Sequence, residues 1–408
     1  MWSAPSTIRV RALALALAAG CDEGETITSQ APFEGEAWPA APQPIIVPAS
    51  GLGLVTDSLS DTISVIDLGT GQVVATRPVG RNPVDIDGVH HLTLDPARGF
   101  AYVGLSYPIP GGAGPHAGHG ASQALGWVQQ LSLSDLSIKG QVRVNTNPGD
   151  IVISEDGSRL IVSHFDLTRA GAPDATPESA RATLAVIDPT TLAPTGSPEP
   201  RFVPTCAAPH GIALSRPDGR FAFVACYAED ALAVVDLDTA DGAVVRVPLG
   251  AGTVFGSVAY GPYAAALSPD GTRVAVTSLV SHDLRFFDVA EGAFEERAPV
   301  VFRGGAYFPT WSEDGNTLWV PTQAPDAVVR VDALSGAADE RALVEEDGCG
   351  LPHETERLPD GAIALVCEGD HLTRGAVLLI DPDSLETLTR TEVGIFPDAI
   401  ERLPPGAP

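Results

Sequence analysis

His210-Gly-Ile-Ala-Leu-Ser-Arg-Pro-Asp-Gly-Arg-Phe-Ala-Phe-Val-Ala225 decides the fold. An apolar strand runs into Pro217-Asp218-Gly219, whose Pro and Gly suit a tight reversal, and a second apolar strand follows at once. A third strand then closes on Val235-Asp236. The phrase recurs along the chain. Its turn glycines are Gly99, Gly157, Gly219, Gly271, Gly315, Gly361 and Gly406, and further third strands close on Ile66-Asp67, Leu131-Ser132, Ile187-Asp188, Phe287-Asp288, Val331-Asp332 and Ile380-Asp381. Branched residues alternate at strand spacing, as in Thr62-Ile-Ser-Val-Ile-Asp67, and no stretch carries a long helical period. Repeats of about 40–50 residues with several short strands each specify a stacked or radial array, because one such unit cannot bury both faces alone.

The quoted unit, and Ala265-Ala-Leu-Ser-Pro-Asp-Gly-Thr-Arg-Val-Ala-Val-Thr277 after it, resemble the YVTN-repeat family of β-propellers, the YncE and surface-layer type. The resemblance covers about residues 50–404. It implies an all-β, seven-bladed β-propeller and leaves function open, since such propellers host both binders and enzymes. Counting the units also gives seven. The last inner strand, Ala399-Ile-Glu-Arg-Leu403, has no second strand after it, and Leu52-Gly-Leu-Val-Thr56 has no inner strand before it. Pairing these N- and C-terminal strands closes the ring and removes exposed sheet edges. The predicted organisation is a signal peptide over 1–20, an acidic, Pro-rich flexible tether over 21–48 and the propeller over 49–404.

Composition narrows the partners. The net charge is −28, and the 24 cationic residues are 23 Arg and the single Lys139. Such a surface repels phosphate backbones, so nucleic acid is excluded as the expected partner. At the N-terminus, Arg9 and Arg11 precede the apolar run Ala12 to Ala19, which is too short to span a bilayer. Leu17-Ala-Ala-Gly-Cys21 is similar to a bacterial lipobox, which implies lipidation at Cys21; an ordinary secretory signal is the alternative. The expected location is the cell envelope, on the periplasmic side or the cell surface, with membrane contact only through the lipid and the chain a monomer.

Four cysteines remain. Cys206 and Cys349 each precede a first strand, while Cys226 and Cys367 each end a second strand, so both members of a pair lie at one end of a hairpin. In an oxidising compartment this reads as Cys206–Cys226 and Cys349–Cys367 disulfides. A thiolate metal site is the rival reading, without the close Cys-x-x-Cys spacing of structural zinc.

The nine histidines point to a face. His90, His91, His210 and His353 stand at the entry to inner strands, and His116, His119, His164, His282 and His371 follow second strands; both kinds of connection open on one side of a propeller. Aligned on their turns, the inner strands present Asp398, His90, Gly149, His210, Tyr263, Tyr307 and His353 at one position, with Asp150 and Glu354 beside them. These residues are the expected ligand-binding mouth. His90, His210, His353 and Asp398 form a set suited to zinc or copper, and a metal-free polar pocket is the alternative.

Two functions follow. One is a non-catalytic binding or scaffold module that docks an envelope protein or a small ligand on the histidine face, beside the connections at 106–126, 164–182 and 250–262. The other is an enzyme at the mouth, either a lactonase-like hydrolase or a zinc- or copper-dependent oxidoreductase or hydrolase, with Glu354 or Asp398 moving protons. Pro209-His210 and Pro352-His353, each followed by a Pro-Asp-Gly turn, resemble the pattern of seven-bladed lactonases, but no matching Arg and Glu set accompanies them. The binding reading is preferred because no complete catalytic set is present.

Overall fold

The computed structural model describes residues 43–109, 119–194, 196–239, 242–251 and 254–407. The segment expected to be a signal peptide, Cys21, most of the expected tether and His116 lie outside these residues.

Seven antiparallel sheets make seven blades. Their inner strands are Pro397–Leu403 in blade 1, Val89–Asp95 in blade 2, Pro148–Ile153 in blade 3, Pro209–Leu214 in blade 4, Pro262–Leu267 in blade 5, Gly305–Ala306 with Thr310–Trp311 in blade 6, and Pro352–Arg357 in blade 7. Blade 1 is assembled from both ends of the described chain, with Leu52 opposite Leu403 and Leu54 opposite Glu401. The expected closure is therefore present.

Each blade buries its branched residues against the next. Leu54 and Val65 of blade 1 pack with Val103 and Leu105 of blade 2. Val162 of blade 3 meets Val128 of blade 2, and Val224 of blade 4 meets Ile161 of blade 3. Val276 packs with Phe223, Val320 with Phe286, Leu365 with Val328, and Val55 with Val366 around the rest of the ring. Seven interfaces of this kind share the core, so no single sheet folds on its own apolar surface.

Polar staples tie neighbouring blades together. The Asp61 carboxylate accepts from the Asp87 and Gly88 amides of blade 2 at 3.0 and 2.7 Å. Asp230 accepts from Ala259, Tyr260 and Gly261 before blade 5. Both residues have positive φ, +49° and +52°, in the turn ahead of a third strand. Disulfides join Cys206 to Cys226 and Cys349 to Cys367, as expected, which consumes the thiols of the rival metal reading. Each closes a loop of about 20 residues in the unfolded chain and contributes roughly 3 kcal/mol on that account.

A register irregularity near the start of the inner strand recurs in blades 1 to 5 and 7. In blade 2 it falls between Val89 and Leu92, and in blade 3 between Pro148 and Ile151. A bulge there breaks the strict alternation of faces and re-aims consecutive side chains. Blade 6 departs further: Phe308 interrupts its inner strand, and its amide donates to the His353 carbonyl of blade 7 at 3.0 Å.

Candidate functional site: a buried histidine–carboxylate cluster

The bulges bring two consecutive residues of an inner strand to the channel end. His90 and His91 both lie there, fully buried, with ring centroids 4.7 Å apart. His90 Nδ1 contacts the Gly149 and Pro148 carbonyl oxygens at 2.8 and 3.1 Å. That contact assigns the Nδ1 proton and turns Nε2 toward Asp398 Oδ2, 2.8 Å away. His353 is held in the same manner, its Nδ1 lying 2.7 Å from the Asp398 carbonyl and 3.3 Å from Asp398 Oδ1. Asp398 thus stands between two imidazoles, and all three side chains have 0% exposure.

His91 presents Nδ1 to Asp150 Oδ1 at 3.4 Å. Its Nε2 is buried without a hydrogen-bond partner. Asp150 also accepts from the Ile151 and Ile212 amides at 2.8 Å each, which fixes its carboxylate between blades 3 and 4. His119 stacks on His90 with centroids 4.1 Å apart and lies 2.6 Å from Ser106 Oγ through Nδ1. His210 stacks on Tyr263 at 4.1 Å, and its ring centre is 6.1 Å from that of His90. Gly149 makes this packing possible: a Cβ there would meet Ser163 Oγ at 2.9 Å and His210 Cδ2 at 3.3 Å. Phe165, Phe308 and Phe396 pack against His210, His91 and His371 at 4.6, 4.6 and 3.7 Å. Tyr307 lies 5.3 Å from His353.

Electrostatics separates the imidazoles. Burial, then the neighbouring His90, pushes His91 well below the usual histidine range. Burial does the same to His119 and His210. These rings are neutral near pH 7 and carry lone pairs, the form that ligates metal. His90 moves the other way. Burial pulls it down, but the Asp398 carboxylate and the two backbone carbonyls raise it overall.

Further along the channel the side chains become acidic. Glu354 and Glu356 follow one another at strand spacing on blade 7, and Glu401 occupies blade 1. Burial pushes Asp150 up to about 6. Burial, then Glu401 and Asp150, pushes Glu354 well above the carboxylate range. Burial raises Glu356 to about 7, and burial with the charge of Glu356 raises Glu401 to about 8. Glu356 is 26% exposed and opens on a groove of about 370 Å³ lined by Thr310, Trp311, Arg357 and Arg402. A larger groove of about 690 Å³ lies beside Trp319 and Arg330 and contains no histidine.

Among the described residues, four groups bring one ligand atom from each member within 4.8 Å of the others; one, Cys206, Cys226 and Glu229, uses sulfurs already joined in a disulfide, and the other three are His90, His91 and Asp398; His91, His353 and Glu354; and His353, Glu368 and Asp398. Of the expected set, His90 and His353 both meet Asp398, while His210 stacks on Tyr263 and belongs to none of these groups. His91 and Glu368 complete the groups and were not in the expected ligand set. His164 and His282 are elsewhere: His164 contacts the Thr183 carbonyl at 2.6 Å within blade 3 and accepts from the Asn145 amide of blade 2 at 3.1 Å, and the half-buried His282 lies 3.2 Å from the Arg303 carbonyl.

The chain matches no protein-family model and no curated protein. Solved structures share its fold. A 6-phosphogluconolactonase-like protein from Bacteroides uniformis superposes with a TM-score of 0.60 at 14% identity, over 87% of this chain and 100% of that one. The periplasmic gluconolactonase of Pseudomonas aeruginosa superposes with 0.57 at 20% identity, over 88% and 99%. Hydrazine synthase of Kuenenia stuttgartiensis gives 0.55 at 17%, over 81% and 99%. At these identities the likeness is one of fold, a seven-bladed propeller with lactonase-like neighbours.

Proposed function

We propose that this protein is an exported, envelope-tethered β-propeller that acts as a binding module by holding divalent zinc or copper in the buried cluster around Asp398. One arrangement carries the reading. Backbone carbonyls hold Nδ1 of both His90 and His353 and so orient the two rings around the Asp398 carboxylate. Outer hydrogen bonds of this sort fix the tautomer and orientation of metal-ligating imidazoles. His91 supports it, as a buried neutral imidazole with Nε2 unmatched, as does a carboxylate shared between two rings. The three sets of N and O donors suit zinc and copper better than calcium or magnesium, which favour all-oxygen shells. Export is supported by the two disulfides and the N-terminal pattern of Arg9, Arg11, the short apolar run and Cys21.

The aromatic side chains packed on the imidazoles favour binding over turnover, because a sugar-sized substrate needs room beside the reacting atoms. A hydrolytic reading retains one observation in its favour: Glu354, adjacent to the cluster and readily protonated, suits a general acid.

Metal analysis of the chain produced without a histidine tag tests the proposal. Metal should survive extensive dialysis and disappear in a His90→Ala/His91→Ala/His353→Ala variant that still shows native near-ultraviolet circular dichroism. A wild-type protein that retains no zinc or copper after refilling would overturn it. Metal-dependent lactone hydrolysis would promote the hydrolytic reading instead.

A further inference from the structure

The three candidate groups are not independent. The first, His90–His91–Asp398, and the third, His353–Glu368–Asp398, have only Asp398 in common. The second, His91–His353–Glu354, takes one imidazole from each of the others and therefore competes with both. If each imidazole serves one ion, the arrangement that uses the most donors fills the first and third groups together. The shared residue is a carboxylate, a side chain able to give one oxygen to each of two ions. Its two oxygens face different rings, Oδ2 lying 2.8 Å from His90 Nε2 and Oδ1 3.3 Å from His353 Nδ1.

The acids gathered at this point are buried. Asp398 and Glu368 have side-chain exposures of 0% and 4%, Asp150 has 8%, and Glu354 adjoins them. Glu368 is also oriented for the task. His371 Nε2 lies 2.7 Å from Glu368 Oε2, and the His371 ring is stacked on Phe396 at 3.7 Å.

We infer that the cluster is a dinuclear centre in which Asp398 bridges two divalent transition-metal ions, one held by His90 and His91 and the other by His353 and Glu368. The inference rests on the metal-binding reading above and adds a second ion to it. Paired ions a few ångströms apart clamp two oxygens of one bridging group, so the centre is suited to a small bidentate oxyanion as an additional bridge.

The test is stoichiometric. The tag-free chain is loaded with zinc and, separately, with copper, dialysed and assayed for metal per chain. Two equivalents are expected, falling to one in Glu368→Gln, which belongs to a single group. The copper form of the wild-type protein should show a dipole-coupled electron paramagnetic resonance signal, a readout that needs no variant to fold. One equivalent in the wild type with an isolated copper signal would overturn the dinuclear centre while leaving metal binding intact. Two equivalents untouched by Glu368→Gln, with uncoupled copper, would overturn it as well. No retained metal would remove the underlying reading itself.

Discussion

The two parts of the channel are built from the same seven inner strands, yet one collects imidazoles and the other carboxylates. At the start of those strands His90, His91, His210 and His353 are buried under aromatic rings. One to three residues further on stand Glu354, Glu356 and Glu401, and Glu356 is reached from a solvent groove. The difference is one of closure. Where the channel is closed, burial holds His91, His119 and His210 below the usual histidine range, while His90 and His353 share the Asp398 carboxylate. Where it opens, the acids are crowded enough to hold protons, and solvent and Arg402 partly relieve them.

Removing Asp398 should break this contrast most severely. Asp398→Ala deletes the carboxylate between His90 and His353 in a site with no exposure. Taking one partner from a buried, hydrogen-bonded charge pair costs about 3 kcal/mol or more. Urea unfolding of the metal-free variant should show a loss of that size, and metal affinity should fall by about 100-fold or more, as befits loss of a ligand rather than of an outer contact. Glu356→Ala, at the open part, should cost under about 1 kcal/mol and leave stoichiometry unchanged. Equal effects at the two positions would mean that closure does not distinguish them.

The acidic part should reveal itself through pH. Glu401 has an ordinary value of 4.5 and is pushed to about 8 in the fold, with Glu356, Asp150 and Arg402 as the charges acting on it. Above pH 4.5 the unfolded chain releases this proton while the folded chain keeps it, so the folded state binds more protons across the window. Stability from this group is therefore greatest below about pH 4.5, declines as pH rises toward 8, and is level beyond. Thermal midpoints of the metal-free protein should fall across that range, and the fall should be shallower in Glu401→Gln. An identical pH slope in the variant would place the acid in ordinary solvent.

The repeat made much of this visible in the chain. Pro-Asp-Gly turns and third strands ending in Asp gave the blade count, and the unmatched strands at Leu52 and Ala399 gave the closure. Aligning the turns also gave the ring that contains His90, His353 and Asp398. His91 was assigned to the correct face but not to the ligand set, because strict strand alternation points consecutive residues in opposite directions. The bulge between Val89 and Leu92 suspends that rule, and no residue type announces it. Glu368 follows Cys367 directly, yet its role depends on blade 7 folding back beside blade 1, which no local pattern encodes. His164 and His282 share the expected face without joining the cluster for a related reason: position in a repeat gives the face of a propeller but not the distance from its axis.

His282 allows the smallest and cleanest check of that last point. It occupies the place in blade 5 that Asp61 holds in blade 1 and Asp230 holds in blade 4, the residue ahead of a third strand. All three adopt positive φ, +53° at His282, and all three reach toward the following blade. There the repeat explains the histidine without any ligand: a short or planar polar side chain caps the turn and staples the next loop. Asn tolerates the same backbone conformation, since its side chain bonds locally and αL is accessible to it. His282→Asn should therefore change unfolding free energy by less than about 0.5 kcal/mol and leave metal stoichiometry as in the wild type. Loss of metal from this variant would show that the outer histidines feed the cluster, and the division between repeat-bound and site-forming imidazoles would have to be redrawn.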